Sequence, residues 1–119
     1  MLNKIRLTIG INEGYFHNNE SVLCFEELLQ NLCEKEFIKN NTEISFVCYK
    51  SKTIYLKSRG CPAGGEDTYT IETVFHPEKH KDYQKFIDSA HSIINELKKT
   101  LKQHTVLVEY SNIDIKYLK

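Results

Sequence analysis

Only two segments of this chain have the periodicity of an amphipathic helix, and segments with strand periodicity lie before, between and after them. In the stronger helical segment the apolar residues fall within one narrow arc, at Tyr83, Phe86, Ile87, Ala90, Ile93, Ile94, Leu97 and Leu101. In the other they recur at Val22, Phe25, Leu28, Leu29, Leu32 and Phe37. Spacing of this kind places apolar side chains on one face of a helix. The order of these segments restricts the possible folds more than the composition does.

The strand segments are recognised by alternation of apolar and polar residues. Residues 4–11 alternate cleanly, with Ile5, Leu7 and Ile9 on one face and Arg6 and Thr8 on the other. The other predicted strands cover residues 43–49, 53–57, 68–75, 105–110 and 113–117. A tight turn at 50–52 would join two of these strands, and a single long bent strand is the alternative.

The order strand, helix, three strands, helix, strand predicts an α+β domain with a mostly antiparallel sheet. Helical crossovers between neighbouring strands are right-handed, so both helices are expected on one face of the sheet. This is a ferredoxin-like two-layer sandwich. We expect residues 1–119 to form a single domain, since a chain of 119 residues is of normal size for one domain.

The helix boundaries follow from residues that favour helix ends. Asn18, Asn19 or Ser21 is predicted to cap the first helix, which ends at residues 40–41. Pro77 suits the first turn of the second helix.

The charge balance argues against a general nucleic-acid-binding protein. Lysine and arginine total 16, as do aspartate and glutamate, so the formal net charge is zero. Nucleic-acid-binding domains are normally basic.

No apolar run of signal-peptide or membrane-spanning length is found, so we expect a cytoplasmic protein without a membrane partner. No motif for a cofactor is present, and none is expected.

The sheet face opposite the helices is predicted to be exposed, and it is the first candidate site. Arg6, Tyr49 and Tyr55 are the predicted binding residues on this face. We expect a homodimer or a protein partner there, in a non-enzymatic domain that regulates or inhibits that partner. Stacking of single-stranded nucleic acid on the tyrosines is a weaker alternative, because the chain is not basic.

Cys61 lies in a glycine-rich loop beside Arg59, and it is the second candidate site. A nearby cation lowers the pKa of a thiol, and a histidine could then serve as the base of a cysteine nucleophile. The alternative function is therefore a small cysteine- or metal-dependent enzyme centred on this loop. The simpler interpretation is that the glycines form turns and that the cysteine has no chemical role.

His76 and His80 are four residues apart at the predicted start of the second helix. Two imidazoles on one helical turn can bind zinc or nickel, with Cys61, Glu66 or Asp67 as the third ligand. The simpler interpretation is two polar surface residues at a helix N-terminus.

The strand over residues 5–10 and the run over residues 103–108 after a long helix resemble small bacterial ferredoxin-like domains of unknown function. The quoted residues are Ile5-Arg6-Leu7-Thr8-Ile9-Gly10 and Gln103-His104-Thr105-Val106-Leu107-Val108. The resemblance implies a fold and assigns no chemistry to any residue.

Overall fold

The structure, a computed structural model, describes residues 2–11 and 24–119. Its elements in chain order are strand β1 (Lys4–Gly10), helix α1 (Phe25–Asn40), strand β2 (Val47–Thr53), strand β3 (Glu66–Val74), helix α2 (Tyr83–Thr100) and strand β4 (Val108–Ser111). The four strands form one antiparallel sheet in the order β2-β3-β1-β4. This element order and strand order confirm the predicted ferredoxin-like α+β sandwich.

One face of the sheet packs against both helices and forms the core. Ile5, Leu7 and Ile9 of β1 alternate inward, as predicted, and each is at most 2% exposed. They pack with buried side chains of α1 and α2, among them Phe25 and Phe86. Period-two alternation in the strand and 3.6-residue periodicity in the helices therefore point their apolar residues into one layer. The opposite face of the sheet has neither helix on it.

The predicted turn at residues 50–52 is wrong, because one strand runs through them, although β2 is shorter than the single long strand of the alternative. Lys50, Ser51 and Lys52 all lie within β2 and pair with β3. The ammonium of Lys52 lies 2.6 Å from a carboxylate oxygen of Asp67 on the neighbouring strand. Pairing with a long neighbouring strand thus outweighs the local polarity of this segment.

The strand predicted over residues 113–117 is also absent from the structure. Instead, the side chain of Asn3 makes two hydrogen bonds to the backbone of Ile113. Its Nδ2 donates to the carbonyl oxygen at 2.8 Å, and its Oδ1 accepts from the N–H at 2.8 Å. The side-chain amide of Asn3 thus makes the hydrogen bonds to the backbone of Ile113 that a neighbouring strand would make in a sheet.

The end of α1 agrees with the sequence prediction, and the start of α2 differs from it. Asn41 follows α1 with a left-handed φ of 54°, and its N–H donates to the carbonyl of Phe37. α2 begins at Tyr83, because Asp82 caps it by accepting from two backbone N–H groups. Pro77 is therefore in a turn and not in the first turn of the helix. The predicted caps Asn18, Asn19 and Ser21 lie outside the described residues.

Neither of the two helices in the described ranges is long and apolar enough to cross a membrane.

Candidate functional site

We call the sheet surface opposite the helices the open face. The strand register places Arg6 of β1 between Glu72 of β3 and Glu109 of β4 on this surface. Two residues further along β1, Thr8 lies beside Thr70, which in turn pairs with Tyr49 of β2. The open face therefore combines charges, hydroxyl groups and an aromatic ring in adjacent rows.

Two cations and two carboxylates on the open face form a connected group. Arg6 donates to Glu109 at 2.7 Å, and its Nε lies 3.3 Å from Glu72. The ammonium of Lys4 is 3.5 Å from the same Glu72 carboxylate. Hydrogen bonding with Glu109, followed by that with Tyr49, raises the pKa of Arg6. The group has no net charge and remains accessible, since the Arg6 side chain is 41% exposed.

The sequence predicted Arg6 and Tyr49 as binding residues, and the structure brings these two together. It does not bring Tyr55 to them. Tyr55 lies two residues beyond Thr53, the last residue of β2, which pairs with Glu66 at the start of β3. Arg6 pairs with Glu72, which lies about 20 Å further along the same strand at 3.3 Å per residue.

Neither Glu72 nor Glu109 is among the site residues predicted from the sequence. Both lie on strands, at positions of the same face as Arg6, so strand alternation was the available signal. That signal shows which face a residue occupies and does not show which residues of other strands lie beside it. Register decides that the two carboxylates flank one guanidinium.

A second concave region lies between α1 and the segment leading into β2. It is a groove of about 640 Å³ with an apolar floor that includes Leu29, Ile44 and Phe46. Its border carries carboxylates, including those of Glu26 and Glu34. No lysine or arginine is among the described residues that line it.

Two thiols along this groove are held in their neutral, protonated forms. Burial and then Glu34 raise the pKa of Cys33 to about 11, and burial chiefly raises that of Cys48. Glu26 accepts a 3.0 Å hydrogen bond from the phenol of Tyr69. Burial and this bond raise the pKa of Tyr69 to about 12. The groove thus contains protonated thiols at neutral pH, which are poor nucleophiles.

Cys61 is buried, and its surroundings are structural. It is 6% exposed, and its thiol lies 3.9 Å from the carbonyl oxygen of Thr53. The adjoining loop turns sharply at Gly65, where φ is +103° and an added Cβ would lie 3.1 Å from Ile54. Glycine is required at such a position. The loop therefore connects β2 and β3 through a sharp turn that depends on this glycine.

The two histidines do lie together, but Cys61 does not join them. His76 and His80 have ring centroids 5.9 Å apart. They follow the end of β3, whereas Cys61 precedes its start, and a nine-residue strand spans roughly 27 Å. Within residues 2–11 and 24–119, no group of three or more His, Cys, Asp or Glu side chains has the arrangement of a metal site.

His80 uses both ring nitrogens to connect two parts of the backbone. Its Nδ1 accepts from the N–H of His76 at 2.9 Å, so Nε2 carries the proton and donates to the carbonyl of Glu43 at 2.6 Å. His80 is 6% exposed, and its ring lies tilted against that of Phe86, with ring centroids 4.8 Å apart. Burial lowers the pKa of His80, ahead of the effects of neighbouring groups. The imidazole is a neutral structural link.

We expect this link to make folding sensitive to acid. The unfolded chain has a histidine pKa of about 6.5, above that of the folded state, so it binds more protons below that pH. The free energy of unfolding should therefore fall as pH drops from about 6.5 towards the folded pKa of His80. Replacing His80 with glutamine should cost about 1–2 kcal/mol at pH 7.5 and weaken this dependence.

Urea denaturation at pH 7.5 and pH 5.5 measures both effects. His91→Gln is the matched control, because His91 is a partly exposed residue on α2 that bonds to Tyr110. An unchanged pH dependence in the His80 variant would show that another group is responsible.

The fold and the open face together define a ferredoxin-like α+β domain whose uncovered sheet face is charged and rich in hydroxyl groups. A model of the SAM lyase family, named for S-adenosylmethionine, matches residues 3–119. The chain therefore belongs to the SAM lyase family. No curated protein matches it.

Two similar solved structures are phage SAM lyases. One, in complex with S-methyl-5'-thioadenosine, has a TM-score of 0.54 and 15% identity, over 91% of this chain and 78% of that chain. The other, in the apo state, has a TM-score of 0.52 and 13% identity, over 98% of this chain and 91% of that chain. At these identities the similarity shows a shared fold.

Family membership corrects the main functional expectation from the sequence. A domain of unknown function, and a non-enzymatic regulator that binds a protein partner, are both wrong for a chain that belongs to a lyase family. The alternative expectation of a small enzyme agrees better with it. The expected homodimer and the expected cytoplasmic location stay predictions.

Proposed function

We propose that this chain cleaves S-adenosylmethionine and releases S-methyl-5'-thioadenosine. The observation that carries the proposal is the family match over residues 3–119. The phage SAM lyase with S-methyl-5'-thioadenosine bound, which has the same fold, supports the identity of this product.

The reaction balances without water or any other co-reactant. Release of S-methyl-5'-thioadenosine breaks the bond between the sulfonium sulfur and the γ-carbon of the aminobutyrate chain, and the electron pair goes to sulfur. In the proposed step, an oxygen of the substrate's own carboxylate forms the new bond to that carbon. The second product is the five-membered homoserine lactone, and no proton is transferred.

This reaction requires little acid–base catalysis by the protein. The positive sulfonium and the negative carboxylate neutralise each other as the bond forms, so no side chain has to supply or remove a proton. The main task is to hold the carboxylate oxygen against the γ-carbon, and such positioning accounts for large rate effects in intramolecular reactions. A nucleophilic cysteine such as Cys61, or a metal at His76 and His80, has no role in it.

The open face has a charge pattern that complements this substrate. Arg6 offers donors to one carboxylate oxygen and leaves the other to react, since guanidinium groups bind carboxylates well. Glu72 and Glu109 lie on either side of it and suit the substrate's ammonium and sulfonium charges. Tyr49 supplies a ring for the adenine.

The groove beside α1 is the weaker candidate for the same substrate. It is large enough, and Phe46 and the carboxylates suit an adenine and a cation. Its described lining holds no lysine or arginine, and Lys79 at its border is a single cation paired with Glu43, whereas the open face has both Arg6 and Lys4. We therefore assign the substrate to the open face.

The proposal is tested by incubating the purified protein with S-adenosylmethionine in ¹⁸O-labelled water and analysing the products by mass spectrometry. The expected products are S-methyl-5'-thioadenosine and unlabelled homoserine lactone. The lactone then opens by attack of water at its acyl carbon, so any homoserine carries the label in its carboxyl group.

Label in the γ-hydroxyl group of homoserine would show hydrolysis at the γ-carbon and overturn the lyase route. Failure to release S-methyl-5'-thioadenosine would overturn the proposed function. S-adenosylhomocysteine is the matched control substrate: its neutral thioether is a poor leaving group, so no cleavage is expected.

A further inference from the structure

A polar cleft lies between α1 and α2, in the helix layer, so the sheet separates it from the open face. Its volume is about 500 Å³. Every described residue that lines it is polar or charged. It differs in this respect from the groove beside α1, whose floor contains Leu29, Ile44 and Phe46. The cleft therefore suits a ligand that is polar on all sides.

Two of the residues that line the cleft are polar side chains at core positions of the helices. Glu36 and Ser89 are each 4% exposed. Glu36 lies one turn after Leu32 on the apolar stripe of α1. On α2, Ser89 lies between the buried residues Phe86 and Ile93. A polar group at such a position costs stability unless it has a partner, so packing does not explain these two residues.

The buried carboxylate of Glu36 has a hydrogen-bond partner without charge. Its Oε2 accepts a 2.5 Å hydrogen bond from the side-chain amide of Asn40. Among residues 2–11 and 24–119, no cationic side chain forms an ion pair with Glu36. A buried carboxylate is costly unless it is paired and hydrogen-bonded. Because Glu36 lines the cleft, a cationic group of a ligand can pair with it there.

Each helix places one carboxylate and one ammonium side by side at the cleft. On α1 these belong to Glu36 and Lys39, three residues apart. On α2 they belong to Asp88 and Lys85, with the same spacing. Side chains at this spacing are neighbours, with Cβ atoms about 5–6 Å apart. In the described part of the chain neither pair forms an ion pair, so adjacent charges of both signs are open to a ligand.

A free α-amino acid has the combination of groups that matches this cleft. Its ammonium and carboxylate are bonded to the same carbon atom, so they need partners of opposite sign at short range. A simple anion would be repelled by the two carboxylates of the cleft, and a simple cation by its two lysines. The hydroxyl groups of Ser89 and Ser92 suit a short side chain that can also form hydrogen bonds.

We propose that this cleft binds a free α-amino acid with a short polar side chain. The ammonium of the ligand pairs with Glu36, and its carboxylate lies between Lys39 and Lys85. The inference does not rest on the proposed function. L-Homoserine, which forms when the lactone opens, belongs to this class of ligand and serves as the probe.

The test is isothermal titration calorimetry of the protein with L-homoserine, and saturable binding is expected. Two analogues keep the hydroxyl and lose one charge each: 4-hydroxybutyrate lacks the ammonium, and 3-aminopropan-1-ol lacks the carboxylate. Each analogue should bind at least about tenfold more weakly than L-homoserine, because a hydrogen bond between charged groups is lost.

Two variants locate the binding site. Glu36→Gln removes the buried charge and keeps the shape of the side chain, and Lys85→Met removes an exposed ammonium. Each should weaken the binding of L-homoserine at least about tenfold. Glu34→Gln is the matched control and should bind normally, because Glu34 is on the same helix but lines the other groove. If Glu36→Gln does not fold, Lys85→Met makes the same comparison.

Three results would overturn the inference. They are the absence of saturable binding to the unmodified protein, equal affinity for L-homoserine and either analogue, and unchanged affinity in either folded variant. These measurements use no S-adenosylmethionine, so such a failure would leave the proposed function standing. Failure to cleave S-adenosylmethionine would likewise leave the amino-acid site standing.

Discussion

Replacing Glu72 with glutamine is expected to lower kcat/KM for S-adenosylmethionine by about 10–100-fold, since hydrogen bonds to charged groups contribute about 1.5–3 kcal/mol. Glu72 lies within 3.5 Å of both Lys4 and Arg6. Without its charge, the group of four side chains has a net positive charge and repels the sulfonium and the ammonium. Steady-state kinetics of S-methyl-5'-thioadenosine release measure the change.

The loss should appear mainly in KM. The sulfonium charge disappears as the reaction proceeds, so a carboxylate interacts with it more strongly in the bound substrate than in the transition state. An interaction of this type supports binding and does not speed the chemical step. Glu109→Gln should act in the same direction, because Glu109 is the other carboxylate on Arg6.

Glu78→Gln is the matched control for the Glu72 substitution. Glu78 is also a carboxylate paired with a lysine, 2.7 Å from the ammonium of Lys119, but it lies outside the open face. We expect unchanged kinetics for this variant. Equal losses of kcat/KM in both variants would point to a general effect of charge. An unchanged kcat/KM in Glu72→Gln would show that the substrate does not bind to this part of the sheet.

Replacing Phe86 with alanine should destabilise the fold by about 3–5 kcal/mol. Phe86 is fully buried on α2, and its ring packs against Phe75 and His80, with centroid separations of 5.6 and 4.8 Å. The substitution leaves a cavity at the junction of the helix with the sheet. Urea denaturation followed by circular dichroism measures the free energy of unfolding.

Phe37→Ala provides the comparison with the same substitution on the other helix. Phe37 is 44% exposed, so it loses far less buried surface on truncation, and we expect an effect below about 1 kcal/mol. Similar losses at the two positions would contradict the core described for this fold.

The absence of a catalytic motif from the sequence has a chemical explanation within the proposed function. Enzymes that use a cysteine or serine nucleophile need a base at hydrogen-bonding distance, and this requirement leaves recognisable residue types. Here the substrate supplies its own carboxylate. The protein then needs only charges and hydroxyls on a rigid surface, and residues such as Arg6 and Tyr49 are unremarkable on any exposed strand.

The sequence by itself determined which face of β1 is buried and where the apolar stripe of α2 lies. These properties depend on spacing within one segment, and Ile5, Leu7 and Phe86 are buried as that spacing predicts. Tertiary structure decided that residues 50–52 extend β2, because pairing with β3 supplies their backbone partners.

Tertiary structure also decided the composition of the open face. Glu72 and Glu109 lie beside Arg6 only because β3 and β4 pair with β1 in one particular register. Register depends on contacts between residues distant in the chain, and a shift by one residue would move every side chain to the other face. The periodicity within one segment does not show those contacts. The order of helices and strands was therefore predictable from the sequence, and the grouping of the site residues was not.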